Sequence, residues 1–161
     1  MIKFKKETIL YFVFSLSILS LLAAYFIQYI LGYQPCNLCL IERIPYILAI
    51  FIVSLVIFFK KFEKFAFAIL SIIFFLAVII SSYHFAIEQG FINESIICDL
   101  SSNSKNITKE AILEELKQKK ISCKDVTFKI IGLSLTTLNL AVSLILSIAM
   151  FKNFLSYGKN R

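Results

Sequence analysis

The stretch from Pro35 to Phe59 reads PCNLCLIERIPYILAIFIVSLVIFF and joins two unlike pieces: two cysteines one helical turn apart beside a Glu-Arg pair, then an uncharged run from Ile44 onward. A helix needs roughly 20 apolar residues to cross a hydrocarbon core about 30 Å thick. The run 44–59 is short of that, but Cys39, Leu40 and Ile41 extend it, and tilt or local thinning absorbs the remainder. Three further runs, 9–31, 65–87 and 130–151, meet the requirement outright, and none of the four contains Lys, Arg, Asp or Glu. Lipid offers the backbone no hydrogen-bond partner, and these runs lack the alternation of a barrel strand, so each reads as a helix. Composition agrees: of 161 residues 59% are hydrophobic and only 17% charged, with mean hydropathy +0.84, outside the range of soluble domains. The first run follows Lys3, Lys5 and Lys6 as a signal peptide would, but it is too long and no small-residue cleavage site follows, so it reads as an anchor.

The expected fold is therefore an all-α integral membrane protein, a four-transmembrane-helix bundle forming a single domain over residues 1–161. Four crossings put both termini on one side. They leave two loops on the other, a short one at 32–43 and a long one at 88–129. Within the long loop, TKEAILEELKQKK runs from Thr108 to Lys120 with a good N-cap, acids early, lysines late and an apolar stripe of Ile112, Leu113 and Leu116. It reads as a short amphipathic helix, lying on the membrane lipid or packed on the loop itself.

The side holding the termini carries nine Lys/Arg against two acids, and the other side eight against eight over about twice the length. Raw Lys/Arg count is nearly tied, but density in the short segments puts both termini in the cytoplasm. The net charge of +7 then sits almost wholly on the cytoplasmic face, where anionic lipid attracts it. No basic face is interleaved with exposed aromatics, so nucleic acid is not an expected partner.

All four cysteines, Cys36, Cys39, Cys98 and Cys123, fall in the two loops opposite the termini. Disulfides persist in an oxidising compartment, so their placement agrees with the charge. Four cysteines allow three pairings, and spacing favours Cys36 with Cys39 and Cys98 with Cys123. The second pair closes a loop of about 26 residues, which chain entropy alone makes worth roughly 3–4 kcal/mol, so a structural staple explains it when taken alone. The first pair closes too small a ring to constrain the unfolded chain. A C-x-x-C is suited instead to redox exchange, because the neighbouring thiol is placed to resolve a mixed disulfide. Two cysteine pairs supply enough ligands for zinc, but zinc thiolates suit an oxidising side poorly, and no metal site is expected. Leu40 rather than His follows Cys39, which excludes covalent haem.

Arg43 lies four residues after Cys39. On a helix that starts near Cys39 the two share a face, where a fixed cation favours a Cys39 thiolate; Pro45 moves the start toward Arg43 and leaves that proximity to the loop. The plainer reading of Arg43 is an anchor reaching to headgroups. His84, the one histidine, sits in SSYHFAIEQG with Glu88 a turn further on, and is either capped by Glu88 or free to donate to a ligand or relay protons. Tyr29, Tyr33, Tyr46 and Tyr83 read as an aromatic belt, and Asn139 as an interhelical hydrogen-bond donor.

Four spans, the segment PCNLCLIER at 35–43, and the pair Cys98 and Cys123 bracketing the second loop together resemble the DsbB family of bacterial membrane thiol oxidases, across most of the chain. The resemblance implies a bacterial inner-membrane enzyme, with periplasmic cysteine loops, that reoxidises a periplasmic thioredoxin-like DsbA-type partner using the membrane quinone pool, ubiquinone or menaquinone. It further implies that Cys98 is attacked by the reduced partner and Cys123 helps to resolve the mixed disulfide. Electrons then pass to Cys36 and Cys39, Cys39 contacts the quinone, and Arg43 binds it. His84 matches a histidine often found there, which the resemblance makes a quinone-binding residue that donates a hydrogen bond to a quinone oxygen or relays protons to the reduced ring, although Ala86 stands where family members commonly have glycine. Two other readings compete: a non-enzymatic four-span protein with a disulfide-stapled recognition loop, and a vitamin K epoxide reductase type of enzyme. The latter would need its motif on the last helix, which here has no cysteine.

Overall fold

The computed structural model describes residues 6–59, 62–93, 98, 123, 129–130 and 133–159. Its fold class is the expected one. Among the described residues, four helical stretches are long and apolar enough to cross a membrane: Glu7–Tyr29, Asn37–Phe59, Glu63–Glu88 and Leu135–Ser156. In chain order the elements are α1 (Lys6–Tyr29), α2 (Asn37–Ile41), α3 (Ile44–Phe59), α4 (Glu63–Glu88), β1 (Lys129–Ile130), β2 (Leu133–Ser134) and α5 (Leu135–Lys159). The helix expected from Thr108 to Lys120 lies outside the described residues.

The second crossing is built from two helices. α2 ends at Ile41, Glu42 and Arg43 form a turn, and α3 starts at Ile44 with Pro45 as its second residue. A first-turn proline is tolerated because its missing N–H would have had no helical acceptor. The joint still satisfies the backbone, with Glu42 N–H donating to Leu38 C=O at 2.9 Å and Ile47 N–H to Arg43 C=O at 3.2 Å.

Residues at the other two ends near the cysteines are fixed by local chemistry. α4 stops in a Schellman turn: Phe91 N–H reaches Ala86 C=O at 2.9 Å and Gly90 N–H reaches Ile87 C=O at 3.0 Å, with Gly90 at φ +78°. α5 does not begin at Ile130, where the apolar run starts, but at Leu135. Ser134 caps it by accepting Thr137 N–H on Oγ at 3.2 Å, and the residues before the cap form a two-rung antiparallel ladder, Lys129 opposite Ser134 and Ile130 opposite Leu133.

α4 lies along α5, and α3 bridges α1 to α4. The core between them is Val13, Ala49, Val53, Phe67, Leu70, Phe74, Leu146 and Met150, all buried, while Phe12, Phe51, Phe58, Phe75 and Ile145 point outward. Lipid is as apolar as these outward side chains, so burial gives no strong drive for the helices to associate, and small or polar residues at the seams matter more. Asn139 is such a residue. Its Nδ2 donates to Ser81 Oγ at 2.7 Å and its Oδ1 accepts from the Tyr46 hydroxyl at 2.6 Å, tying α5 to α4 and α3. Tyr46 is thus not part of a belt. It is buried, in edge contact with the Phe74 ring at 6.0 Å, because its hydroxyl has a partner inside the bundle.

Replacing Asn139 by Leu removes both bonds and leaves the Ser81 and Tyr46 hydroxyls short of a partner. Thermal unfolding in detergent should show a loss of about 1–2 kcal/mol, and Tyr46→Phe a smaller one.

Candidate active site

The short helix α2 exists because of a cysteine. Cys36 is its N-cap, with extended backbone at φ −70° and ψ 167°, and its Sγ accepts Cys39 N–H at 3.2 Å, the bond that a serine or aspartate oxygen usually makes. Both expected disulfides are present, Cys36 with Cys39 and Cys98 with Cys123.

The two disulfides are neighbours. Cys36, Leu38, Ile87 and Cys123 form one buried cluster, and Cys39 and Cys98 pack against it. Asn37, between the first two cysteines, donates from Nδ2 to the backbone carbonyl of Cys98 at 3.4 Å. Residues from the two loops therefore meet at one end of the bundle. Within each pair exposure is unequal in the first: Cys36 is buried and Cys39 is half-buried.

His84 lies beneath Cys36. It is fully buried, its Nε2 stands 3.6 Å from Cys36 Sγ, and its Nδ1 stands 3.0 Å from Glu42 Oε1. Glu42 is itself only 9% exposed, and Thr136 Oγ1 is a further neighbour of Nδ1 at 3.5 Å. A carboxylate can only accept, so Nδ1 carries the hydrogen of the shorter contact and Nε2 is left to present its lone pair to the sulfur. Glu88, read from the sequence as a cap for His84, instead accepts from Ser134 Oγ at 2.7 Å. It holds the start of α5 to the end of α4, which also brings Thr136 over the imidazole.

The joint between α2 and α3 sends its two charged residues opposite ways. Glu42 turns inward to His84, and Arg43 turns to α1. There an Arg43 guanidinium nitrogen donates to Gln28 Oε1 at 2.7 Å, and the guanidinium carbon sits 5.0 Å from the centre of the Tyr25 ring. Tyr25 in turn stacks on the exposed Tyr29 at 6.1 Å. Of the two readings of this segment, a helix starting near Cys39 and one starting nearer Arg43 because of Pro45, the second holds: α3 starts at Ile44, and Cys39 lies in the separate short helix α2. The backbone N–H of Cys39, a donor, and the Nε2 lone pair of His84, a base, both converge on Cys36 rather than on Cys39.

Four contributors were missed in the sequence: Glu42 as the partner of His84, Thr136, Gln28 and Tyr25. Glu42 left a signal. A lone histidine in the uncharged run 65–87 needs a polar partner, and Glu42 is, with Glu88, one of two acids at the matching end of a span. The other three are ordinary residues of apolar runs and carry no signal of their own.

Comparison with known proteins gives the same picture. Residues 6–152 match the family model described as "Disulfide bond formation protein DsbB". An uncharacterized protein of Rickettsia prowazekii (strain Madrid E) is 32% identical over 139 residues, which is 83% of this chain and 79% of that protein. No solved structure matches. Paired cysteines at the end of four membrane-spanning helices, matched over nearly the whole length, carry one conclusion: the chain belongs to the DsbB family of disulfide bond formation proteins.

Proposed function

We propose that this multi-pass membrane protein is a thiol:quinone oxidoreductase that reoxidises a periplasmic thioredoxin-like protein of DsbA type and passes the electrons to the membrane quinone pool. The observation that carries the reading is the packing of both disulfides into one cluster, with the buried imidazole of His84 against the sulfur of Cys36. A staple for a recognition loop would need neither the neighbouring small ring nor a buried His-Glu pair, whose burial is costly unless it serves a purpose.

In this reading the partner's dithiol attacks Cys98 and forms a mixed disulfide, releasing Cys123 as thiolate. A second attack by the partner frees both cysteines and leaves the partner oxidised. Exchange with the adjacent Cys36–Cys39 bond then restores Cys98–Cys123 and leaves two thiols in the first pair. His84 receives the proton of Cys36, and Glu42 holds the ring in the tautomer that can do so and balances the imidazolium that forms. This is the proton-relay role for His84, exercised at sulfur. Cys39, the more open of its pair, faces the electron acceptor.

A quinone supplies the sink for two electrons and two protons. The group around Arg43 has the chemistry to receive a planar ring with carbonyl oxygens: Arg43 offers a cationic donor, Gln28 an amide, and Tyr25 and Tyr29 aromatic faces. The proposed location is the bacterial inner membrane, with both termini cytoplasmic and the cysteine loops periplasmic. Which quinone serves, ubiquinone or menaquinone, depends on the host.

Three measurements test this. Purified protein mixed with a reduced DsbA-type partner and quinone should consume two partner thiols per quinone reduced. Cys39→Ser should abolish turnover, and Arg43→Ala should raise the quinone KM about 10- to 100-fold, the worth of a charge-assisted hydrogen bond; absence of exchange with either quinone overturns the reading. His84→Ala should slow turnover about 10²- to 10⁴-fold while leaving the quinone KM near its original value, the mark of lost proton transfer. A reporter active only outside the cytoplasm should be silent when fused after Arg161 and active when inserted at Ser104.

A further inference from the structure

We propose that the reduced form of this site is a zinc centre, in which Cys36 Sγ, Cys39 Sγ and His84 Nε2 hold one divalent ion and the fourth position is left for water. The three ligand atoms lie within 4.8 Å of one another with the two sulfurs joined in a disulfide, and once that bond is reduced the sulfurs must part to about 3.8 Å to share a tetrahedral zinc. With Zn–S near 2.3 Å and Zn–N near 2.0–2.1 Å, tetrahedral angles put a sulfur and a nitrogen ligand about 3.6 Å apart. Cys36 Sγ and His84 Nε2 stand 3.6 Å apart.

The surroundings meet the other requirements of such a centre. Glu42, 3.0 Å from Nδ1, fixes the imidazole with its Nε2 lone pair toward the sulfurs, the carboxylate-histidine arrangement that orients metal-bound imidazoles. Two thiolates and an imidazole are ligands of the softness zinc favours. Cys36 and His84 are buried and Cys39 half-buried, so the ion has a route in and a face left open. Arg43, the nearest cation in sequence, is engaged with Gln28 and Tyr25 on α1 rather than with His84.

The centre is conditional on redox state. In the disulfide each sulfur is bonded to the other and is no thiolate ligand. A phosphine or a dithiol supplies two electrons, and with two protons from water the bond becomes two thiols. Zinc then displaces those two protons and binds the thiolates. While the ion is held, neither sulfur can re-form the S–S bond, so zinc and the electron acceptor compete for the same reduced pair. The oxidised protein is insensitive to the ion. Binding needs only reduction, so it can be read without quinone or partner, and its failure is separate from that of the oxidase reading.

The test is a titration of the full-length chain in detergent, reduced with a phosphine under anaerobic conditions, with Co²⁺ alone and then Zn²⁺. One equivalent of Co²⁺ should give thiolate charge-transfer and tetrahedral d–d bands, which one equivalent of Zn²⁺ bleaches; the oxidised chain should give neither. The bands should persist in Cys98→Ser/Cys123→Ser and be lost in Cys36→Ser and in His84→Ala, with far-UV helicity retained in each. Glu42→Gln should keep the spectrum and weaken zinc affinity about 10- to 100-fold. The proposal is overturned if the reduced chain gives no cobalt bands, if the bands survive His84→Ala, or if they depend on Cys98 and Cys123.

Discussion

The contact between Glu42 and His84 is the one on which the cysteine-bearing end of the bundle depends. Two groups that would each be expensive to bury alone are buried together at 3.0 Å. Glu42 belongs to the joint after α2 and His84 to α4, so their pairing sets how deep α2 sits. That depth presses Cys36 onto the imidazole and carries Leu38 into the cluster with Ile87 and Cys123. Were the pair absent, this five-residue helix would rest on Leu38 in the cysteine cluster and on the Asn37 bond to Cys98, since isolated helices that short do not persist.

Below this layer the bundle is joined by a different means. Lipid-facing phenylalanines and isoleucines contribute no specificity to helix pairing. The seams carry it instead, through Ser81, Asn139, Tyr46 and Ser143, the last of which stands 3.4 Å from the Tyr46 hydroxyl. Ser17 on α1 is the contrasting case: it is fully buried and its hydroxyl has no hydrogen-bond partner among the described residues. The polar ties that bind α3, α4 and α5 into one unit thus do not extend to α1 at that depth.

The spans were legible because length and the absence of charge are local properties that lipid demands of every crossing helix. The cysteine pairs were legible from spacing alone. What could not be read locally was decided by partners far along the chain. Ser134 ends the run from Ile130 because it can bond both Thr137 N–H and Glu88, and Glu88 in bonding it becomes unavailable to His84. Tyr46 looked like a belt residue by its position near a span end, and the acceptor that draws it inward, Asn139, is 93 residues away. The orientation of Arg43 turned on whether one helix or two followed Cys39, a choice that the turn at Glu42 and Arg43 makes in favour of two.

That orientation ties the first helix to the residue proposed to bind quinone. α1 packs on α3, and Gln28 is clasped by the same guanidinium that, in the proposed reading, meets a quinone carbonyl oxygen. A newcomer that takes the guanidinium loosens the clasp. In that reading, quinone binding and the tie between α1 and the start of α3 draw on a single guanidinium.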